Sequence, residues 1–202
     1  MTSYVTADEV RETMPDTEWT AAYTPALEAL IERASRLIDR ATGRHDGAYA
    51  ADTATVRYFD GSGKREQWVD EMAAAPAAVT VDEGGAGTYT TWASTDYILW
   101  PYNAADEGKP YRRLDVDQLN GDKAAWYRFP RSVKVTAKWG YSTEAPADIK
   151  AAVIIQTVRW FKRAQQAYQD VGAIVELGQL RFVRQLDPDV EFVINHYRKV
   201  TV

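Results

Sequence analysis

The fold is decided by the stretch from Val133 to Tyr168, which reads VKVTAKWGYSTEAPADIKAAVIIQTVRWFKRAQQAY. Its first six residues alternate between apolar and polar side chains, the two-residue period of a strand with one buried face. The apolar positions are Val133, Val135 and Ala137, and the polar positions are Lys134, Thr136 and Lys138. Trp139-Gly140-Tyr141 ends this predicted strand, and residues 142–145 form a short polar turn.

The second half of the stretch predicts a long helix. Pro146 suits the first helical turn, where a missing N–H costs nothing, and Asp148 complements the positive end of the helix dipole. From there on apolar side chains recur every three or four residues in two neighbouring rows. One row is Ile149, Val153, Trp160, Ala164 and Tyr168, and the other is Ile154, Val158 and Phe161. The apolar arc is wider than a surface helix needs, so we expect a central helix that contacts more than one neighbour.

This stretch resembles the head-to-tail connector (adaptor) proteins of tailed bacteriophages. The resemblance consists of a strand ending in WGY at 139–141, a short turn, PADIKAAV at 146–153 and an aromatic and basic continuation. It is clearest from Val133 to Lys162 and extends more loosely to the N-terminal helices and the last helix. It implies a ring, typically of twelve copies, beneath the portal vertex of the capsid, with a helical core, a central channel for the genome and two docking faces.

The composition limits the class of protein. The chain has 202 residues, of which 46% are hydrophobic, enough for one good core or for one domain with an inserted module. Seven Trp and twelve Tyr are many for this length; they can fill a core or supply buried contacts with other proteins. The net charge of −5 lacks the basic surplus of a duplex-binding protein. If the chain meets DNA, we expect it to let the duplex pass.

Cysteine is absent, which excludes disulfides and thiolate metal sites and fits folding in a reducing cytoplasm. The first ten residues do not have the pattern of a signal peptide, and no apolar run is long enough for a membrane span. We therefore expect a protein made in a cytoplasm, with no membrane partner. The resemblance to phage connectors implies that this is the cytoplasm of the bacterial host.

The first 44 residues predict two helices. Thr6 and Glu9 form a capping box that begins a short helix to about Met14. Thr24-Pro25 is a second start signal, and apolar residues spaced by threes and fours then run to Thr42. Gly43 is the expected stop. The apolar stripe of this second helix is expected to pack on the central helix.

From residue 45 to residue 142, helical spacing disappears and turn residues and aromatics dominate, which indicates an inserted β module. Residues 55–59 and 66–69 flank Asp60-Gly61-Ser62-Gly63 and predict two strands about a turn. Further short strands are predicted at 79–82, 88–92, 97–100 and 111–116, and the sheet is expected to close with Val133 to Trp139.

The C-terminal part predicts a hairpin and a helix. Gly178-Gln179 suits a type II′ turn between residues 174–177 and 180–183. Asp187-Pro188 then caps a final helix, on which Phe192 lies outside the apolar stripe, together with His196 and Lys199. The sequence therefore predicts an α+β fold, a helical core with an inserted antiparallel β module. Its segments are 1–44 (N-terminal helices), 45–142 (β module), 143–170 (central helix) and 171–202 (hairpin and C-terminal helix).

No catalytic constellation emerges from the sequence. The two histidines, His45 and His196, cannot form an HExxH zinc site, and no serine lies in a G-x-S-x-G elbow. Gly63-Lys64 fails the phosphate-loop pattern on both sides. Asp115, Asp117, Asn120 and Asp122 faintly resemble a calcium loop without its terminal Glu. We therefore predict no catalytic residues, no cofactor and no metal.

The leading hypothesis is a structural virion protein, a head-to-tail connector that forms a ring between portal and tail and through which genomic double-stranded DNA passes. Its partners would be copies of itself, the portal protein and a tail or tail-completion protein. Candidate portal-docking residues are Arg181, Phe182, Phe192, His196 and Lys199. Candidate tail-docking residues are Trp92 and Trp100, and candidates for charge pairing between copies are Arg159, Lys162 and Arg163 on the basic side of the central helix.

Two alternatives remain. One is a module of a virion or cell-surface protein that binds carbohydrate or another ligand, with Trp68, Trp92, Trp100 and Trp126 as stacking platforms. The other is a hydrolase with two facing carboxylates.

The basic residues of the central helix also fit a solvated face or salt bridges within the chain. They are Arg159, Lys162 and Arg163.

Overall fold

The structure, a computed structural model, describes residues 3–168 and 186–199, with side chains in the long central helix described as far as Gln165. The predicted hairpin at 171–183 lies outside these residues. The chain divides into two compact units, a helical unit on either side of the insertion and a β module from Ala48 to Glu144. The described residues contain four α-helices and two antiparallel sheets, so the predicted α+β class is confirmed.

The helical unit consists of α1 (Ala7–Glu12), α2 (Thr24–Ala41), α3 (Ala147–Tyr168) and α4 (Pro188–Tyr197), with a 3-10 turn at Ala21–Tyr23 before α2. The capping box of α1 is present: the Thr6 hydroxyl accepts from the Glu9 backbone, and the Glu9 carboxylate accepts from the Thr6 backbone. Gly43, just beyond α2, has a φ of +75°, the left-handed conformation that glycine adopts at helix ends. Both sequence signals are confirmed.

Helix α3 packs against α1, α2 and α4. Its buried positions recur at helical spacing: they are Ile149, Ala152, Val153, Gln156, Thr157 and Phe161. Trp160, predicted to lie in the main apolar row, is only partly buried, as are Ile154 and Val158. The core row thus includes two polar residues, Gln156 and Thr157, that hydrophobic periodicity does not select.

The β module has a four-stranded and a three-stranded antiparallel sheet. The first has the order β1-β7-β3-β4 and the second the order β2-β6-β5. The strands are β1 (Ala54–Phe59), β2 (Glu66–Met72), β3 (Ala78–Asp82), β4 (Tyr89–Trp92), β5 (Tyr97–Trp100), β6 (Tyr111–Val116) and β7 (Val133–Lys138). Strand β7 shows the predicted alternation, with Val133, Val135 and Ala137 buried.

The predicted pairing of the first two strands is wrong. Strands β1 and β2 lie in different sheets, because β1 pairs with β7 and β2 pairs with β6. Gly61 between them serves a close approach: a Cβ there would lie 1.7 Å from the Tyr127 carbonyl oxygen. The turn at 60–63 therefore connects the two sheets and does not form a hairpin.

Inner side chains of both sheets form one core. It contains Val79, Val81, Val133 and Val135 from the larger sheet, Met72, Leu114 and Val116 from the smaller sheet, and the indole rings of Trp92, Trp126 and Trp139. Because the two sheets share this core, the alternate side chains of their strands point outward, away from it.

Candidate interaction surfaces

Helix α4 presents an exposed aromatic side chain. Phe192 is 76% exposed, whereas Val190 and Ile194 of the same helix are buried. His196, one turn further on, and Lys199, just beyond the helix end, are exposed as well. The Lys199 backbone N–H donates to the Thr42 carbonyl at 2.8 Å, which ties the end of α4 to α2. Three of the predicted portal-docking residues are therefore available at one end of the chain, while Arg181 and Phe182 lie outside the described residues.

The basic side of α3 is partly engaged within the chain. The Arg159 Nη1 lies 2.9 Å from the Asp187 Oδ2, and Asp187 also caps α4 by accepting from the Asp189 N–H at 3.1 Å. Arg159 thus joins α3 to the start of α4, the salt-bridge role that the sequence left open. Lys162 and Arg163 are exposed.

The prediction that Trp92 is a tail-docking residue is wrong. Only 2% of it is exposed, and its indole stacks on that of Trp126, which is 1% exposed. Its Nε1 donates to the Glu83 carboxylate at 2.9 Å. A side chain so enclosed belongs to the core of the β module and offers no surface to another protein.

Trp100 lies on the outer side of the three-stranded sheet, where it forms a cluster with Trp68 and Arg113. Strand register places Trp68 and Trp100 on either side of Arg113. The Arg113 guanidinium carbon is 5.3 Å from the centroid of the Trp68 ring and 4.6 Å from that of Trp100. The sequence analysis did not select Arg113. The alternation of inward and outward residues along β6 could have shown that its side chain faces outward.

A groove of about 410 Å³ lies between α2 and α3. It is lined by Glu32, Arg33, Arg36, Leu37, Arg40 and Trp160. The Arg33 guanidinium carbon sits 4.6 Å from the centroid of the Trp160 ring, a cation–π contact that occupies one face of the indole. Two of the three arginines have acidic partners, since Arg36 lies 3.1 Å from Asp39 and Arg40 lies 3.9 Å from Asp46.

The carboxylates of the calcium-like stretch are bound to the chain itself. Asp117 accepts from the Asn120 side-chain amide at 2.8 Å and from the backbone N–H of Leu119 and Asn120. The Asn120 amide and these backbone bonds hold the Asp117 pKa below its usual value. Asp115 pairs with Arg113 at 2.7 Å. Within residues 3–168 and 186–199, no three His, Cys, Asp or Glu side chains are grouped as metal ligands.

Each helix described is too short or too polar to cross a bilayer.

No protein-family model matches the chain, and neither does any curated protein. Solved structures do match. A chain from the neck of an empty gene transfer agent particle, computed with C6 symmetry, is 17% identical with a TM-score of 0.52; the match covers 98% of this chain and 91% of that one. A chain from the neck of the native particle, computed with C12 symmetry, is 18% identical with a TM-score of 0.51, covering 100% and 97%. A chain from the virion of the native particle is 18% identical with a TM-score of 0.52, covering 98% and 91%. The protein shares the fold of these chains over nearly its whole length.

Proposed function

We propose that this protein is a structural, non-enzymatic component of a phage or phage-like virion, a head-to-tail connector that forms a ring between the portal and the tail. One observation carries the proposal: its fold matches chains of gene transfer agent necks over 98% to 100% of its length. The sequence resemblance of Val133 to Lys162 to phage connectors supports the same function by a separate route.

The proposed ring has twelve copies, as the resemblance to phage connectors implies. One of the matched necks was computed with C12 symmetry, and rings arise when one surface of a subunit binds a different surface of the next. The net charge of −5 suits a channel through which genomic DNA passes without being held.

Helix α4 supplies the proposed portal contact. Phe192 is a large exposed aromatic side chain on a helix, and aromatic side chains are enriched at protein interfaces. The exposed His196 and Lys199 are proposed to lie at the margin of the same contact. In this proposal Arg181 and Phe182 contribute to the same docking face. Lys162 and Arg163, exposed on α3, are proposed to meet acidic side chains of the next copy.

The carbohydrate-binding alternative is less well supported. Of its four proposed platforms, Trp92 and Trp126 are enclosed in the core. Between the other two, Trp68 and Trp100, the Arg113 guanidinium already occupies ring surface that a sugar would need.

Deletion of the gene from its phage or phage-like element tests the function. The proposal predicts that particles made without the protein accumulate as heads and separate tails, and that expression of the protein in trans restores joined particles. Joined heads and tails in the deletion strain would refute it.

A further inference from the structure

The β module has two outer faces of different character. The tryptophan face is the outer side of the three-stranded sheet and comprises Glu66, Trp68, Ile98, Trp100, Arg113 and Asp115. The basic face is the outer side of the four-stranded sheet and comprises Val56, Tyr58, Lys134, Thr136 and Lys138, with Arg131 beside Tyr58. Because the two sheets share one core, both faces point away from it and are separate surfaces of the module.

The tryptophan face has the composition of an interface centre. Trp68 is 54% exposed and Ile98 is 40% exposed, and Tyr102, two residues beyond Trp100 in the chain, is 64% exposed. Tryptophan, tyrosine and arginine are the residues most enriched at energetic centres of protein interfaces. Arg113 is held in place by Trp68, Trp100 and its ion pair with Asp115, so the cluster is preorganised.

The charge of the tryptophan face is net negative. Arg113 neutralises Asp115, and Glu66, which register places opposite Asp115, is exposed. Among the described residues Glu66 has no cation within ion-pair distance. A partner of this face is therefore expected to bring positive charge as well as apolar surface.

The basic face offers that charge. In the part of the chain that the structure describes, Arg131, Lys134 and Lys138 have no carboxylate within ion-pair distance, although the protein is acidic overall. Apolar surface accompanies them, since Val56 is 44% exposed and Tyr58 is 43% exposed. Two acidic side chains lie at its margin: Asp60, which accepts from the Arg131 backbone N–H, and Asp82 at the end of β3. The Asp82 carboxylate accepts from the backbone N–H groups of Gly84, Ala86 and Gly87.

We infer that the tryptophan face of one copy docks on the basic face of the next copy, so that the β modules join head to tail around the ring. The inference rests on the proposed ring. Two different faces of one module can meet in this way because their charges and exposed apolar side chains are complementary. A contact between two identical faces would instead bring Glu66 near Glu66, or Lys134 and Lys138 near their own copies, and like charges oppose such pairing.

Cysteine crosslinking in rings assembled on the portal protein tests this contact. The chain has no cysteine of its own, so Thr136→Cys on the basic face and Ile98→Cys on the tryptophan face would be the sole thiols. With a short bismaleimide, the double variant is expected to give a ladder of covalent multimers on a denaturing gel. Each single variant is expected to stay monomeric. The matched control is a double variant that combines Thr136→Cys with Leu119→Cys. Leu119 lies in an exposed loop.

The outcomes separate this inference from the proposed function. Rings that form without a ladder, as expected if a tail protein covers the tryptophan face, overturn the inference and leave the connector function standing. Covalent dimers from a single variant also overturn it, because they show identical faces in contact. Failure to form rings at all contradicts the connector function.

A charge exchange checks the chemistry of the contact. Lys134→Glu is expected to abolish the bands beyond the monomer in the double-cysteine background, and adding Glu66→Lys is expected to restore them. A ladder unaffected by Lys134→Glu would contradict the charge pairing that defines the proposed partner.

Discussion

The indole rings of Trp92 and Trp126 stack in the core of the β module with their centroids 4.4 Å apart and their planes 23° from parallel. Both ring N–H groups are satisfied, that of Trp92 by Glu83 and that of Trp126 by the Arg65 carbonyl. Buried tryptophans need such partners, so both rings can serve as core residues without an unpaired polar atom.

Truncation of one of these rings should destabilise the β module. Trp126→Ala is expected to lower the free energy of unfolding by about 3–5 kcal/mol, because it removes a large buried side chain and leaves a cavity. Urea denaturation followed by far-UV circular dichroism measures the change. Trp68→Ala is the control: Trp68 is 54% exposed, and its loss should cost about 1 kcal/mol or less. Equal costs for both variants would contradict the burial of Trp126.

Asp187 should stabilise the helical unit in two separable ways, as the cap of α4 and as the partner of Arg159. Asp187→Ala removes both contacts and is expected to cost about 1–2 kcal/mol. Asp187→Asn keeps an acceptor for the Asp189 N–H, removes the charge, and is expected to cost less. Chemical denaturation of the two variants gives the comparison. An asparagine variant as unstable as the alanine variant would show that the ion pair, not the cap, dominates.

Asp39 should make the stability of the helical unit depend on pH. Its carboxylate is fully buried and accepts from the Tyr4 hydroxyl, from the Gly47 N–H at 3.0 Å and from Arg36 at 3.1 Å. Burial outweighs these contacts and raises the Asp39 pKa above its usual value. The folded protein then keeps this proton at pH values where the unfolded chain has lost it. The stability that this bound proton contributes to the folded state is fully present below the usual carboxyl pKa. It is lost as the pH rises through the pKa of Asp39 in the folded protein.

The test compares the wild type with Asp39→Asn, which cannot titrate at this position. Between about pH 4 and about pH 7, the free energy of unfolding of the wild type is expected to fall relative to that of the variant. A wild type that gains stability over the variant as pH rises would mean that the folded pKa is lowered.

Phe192 should matter for docking and not for folding. Phe192→Asp is expected to change the free energy of unfolding by no more than about 0.5 kcal/mol, because the side chain is exposed, and to weaken capture of the portal protein in a pull-down. Leu119→Asp is the matched control, since Leu119 is 94% exposed in a loop of the β module. Unchanged portal capture by the Phe192 variant would exclude this residue from the docking face.

Local sequence signals predicted the elements but not all of their partners. The alternation at Val133 to Lys138 and the caps at Thr6 and Asp187 are properties of neighbouring residues, and the structure confirms them. The pairing of β1 with β7 joins segments far apart in the chain. Such pairing depends on the packing of the whole module, so the turn at Gly61 could not reveal it.

The same limit applies to the candidate surfaces. The sequence does not distinguish the four tryptophans proposed as stacking platforms. In the structure Trp92 and Trp126 are buried in the core, whereas Trp68 and Trp100 lie on an outer face. On α3, hydrophobic periodicity predicts that Trp160 is buried and does not select Gln156. In the structure the Arg33 guanidinium covers the Trp160 indole, and Gln156 is buried in the core. Neither contact can be predicted from residue type alone. Exposure of Phe192 was predictable, since it lies off the stripe of its helix.

Electron microscopy of the purified protein mixed with the portal protein of its own particle is the most direct measurement of the central claim. The account predicts closed rings of this protein stacked on the portal along one axis, with an open channel at the centre. Portal rings that remain bare at saturating concentrations of the protein would contradict it.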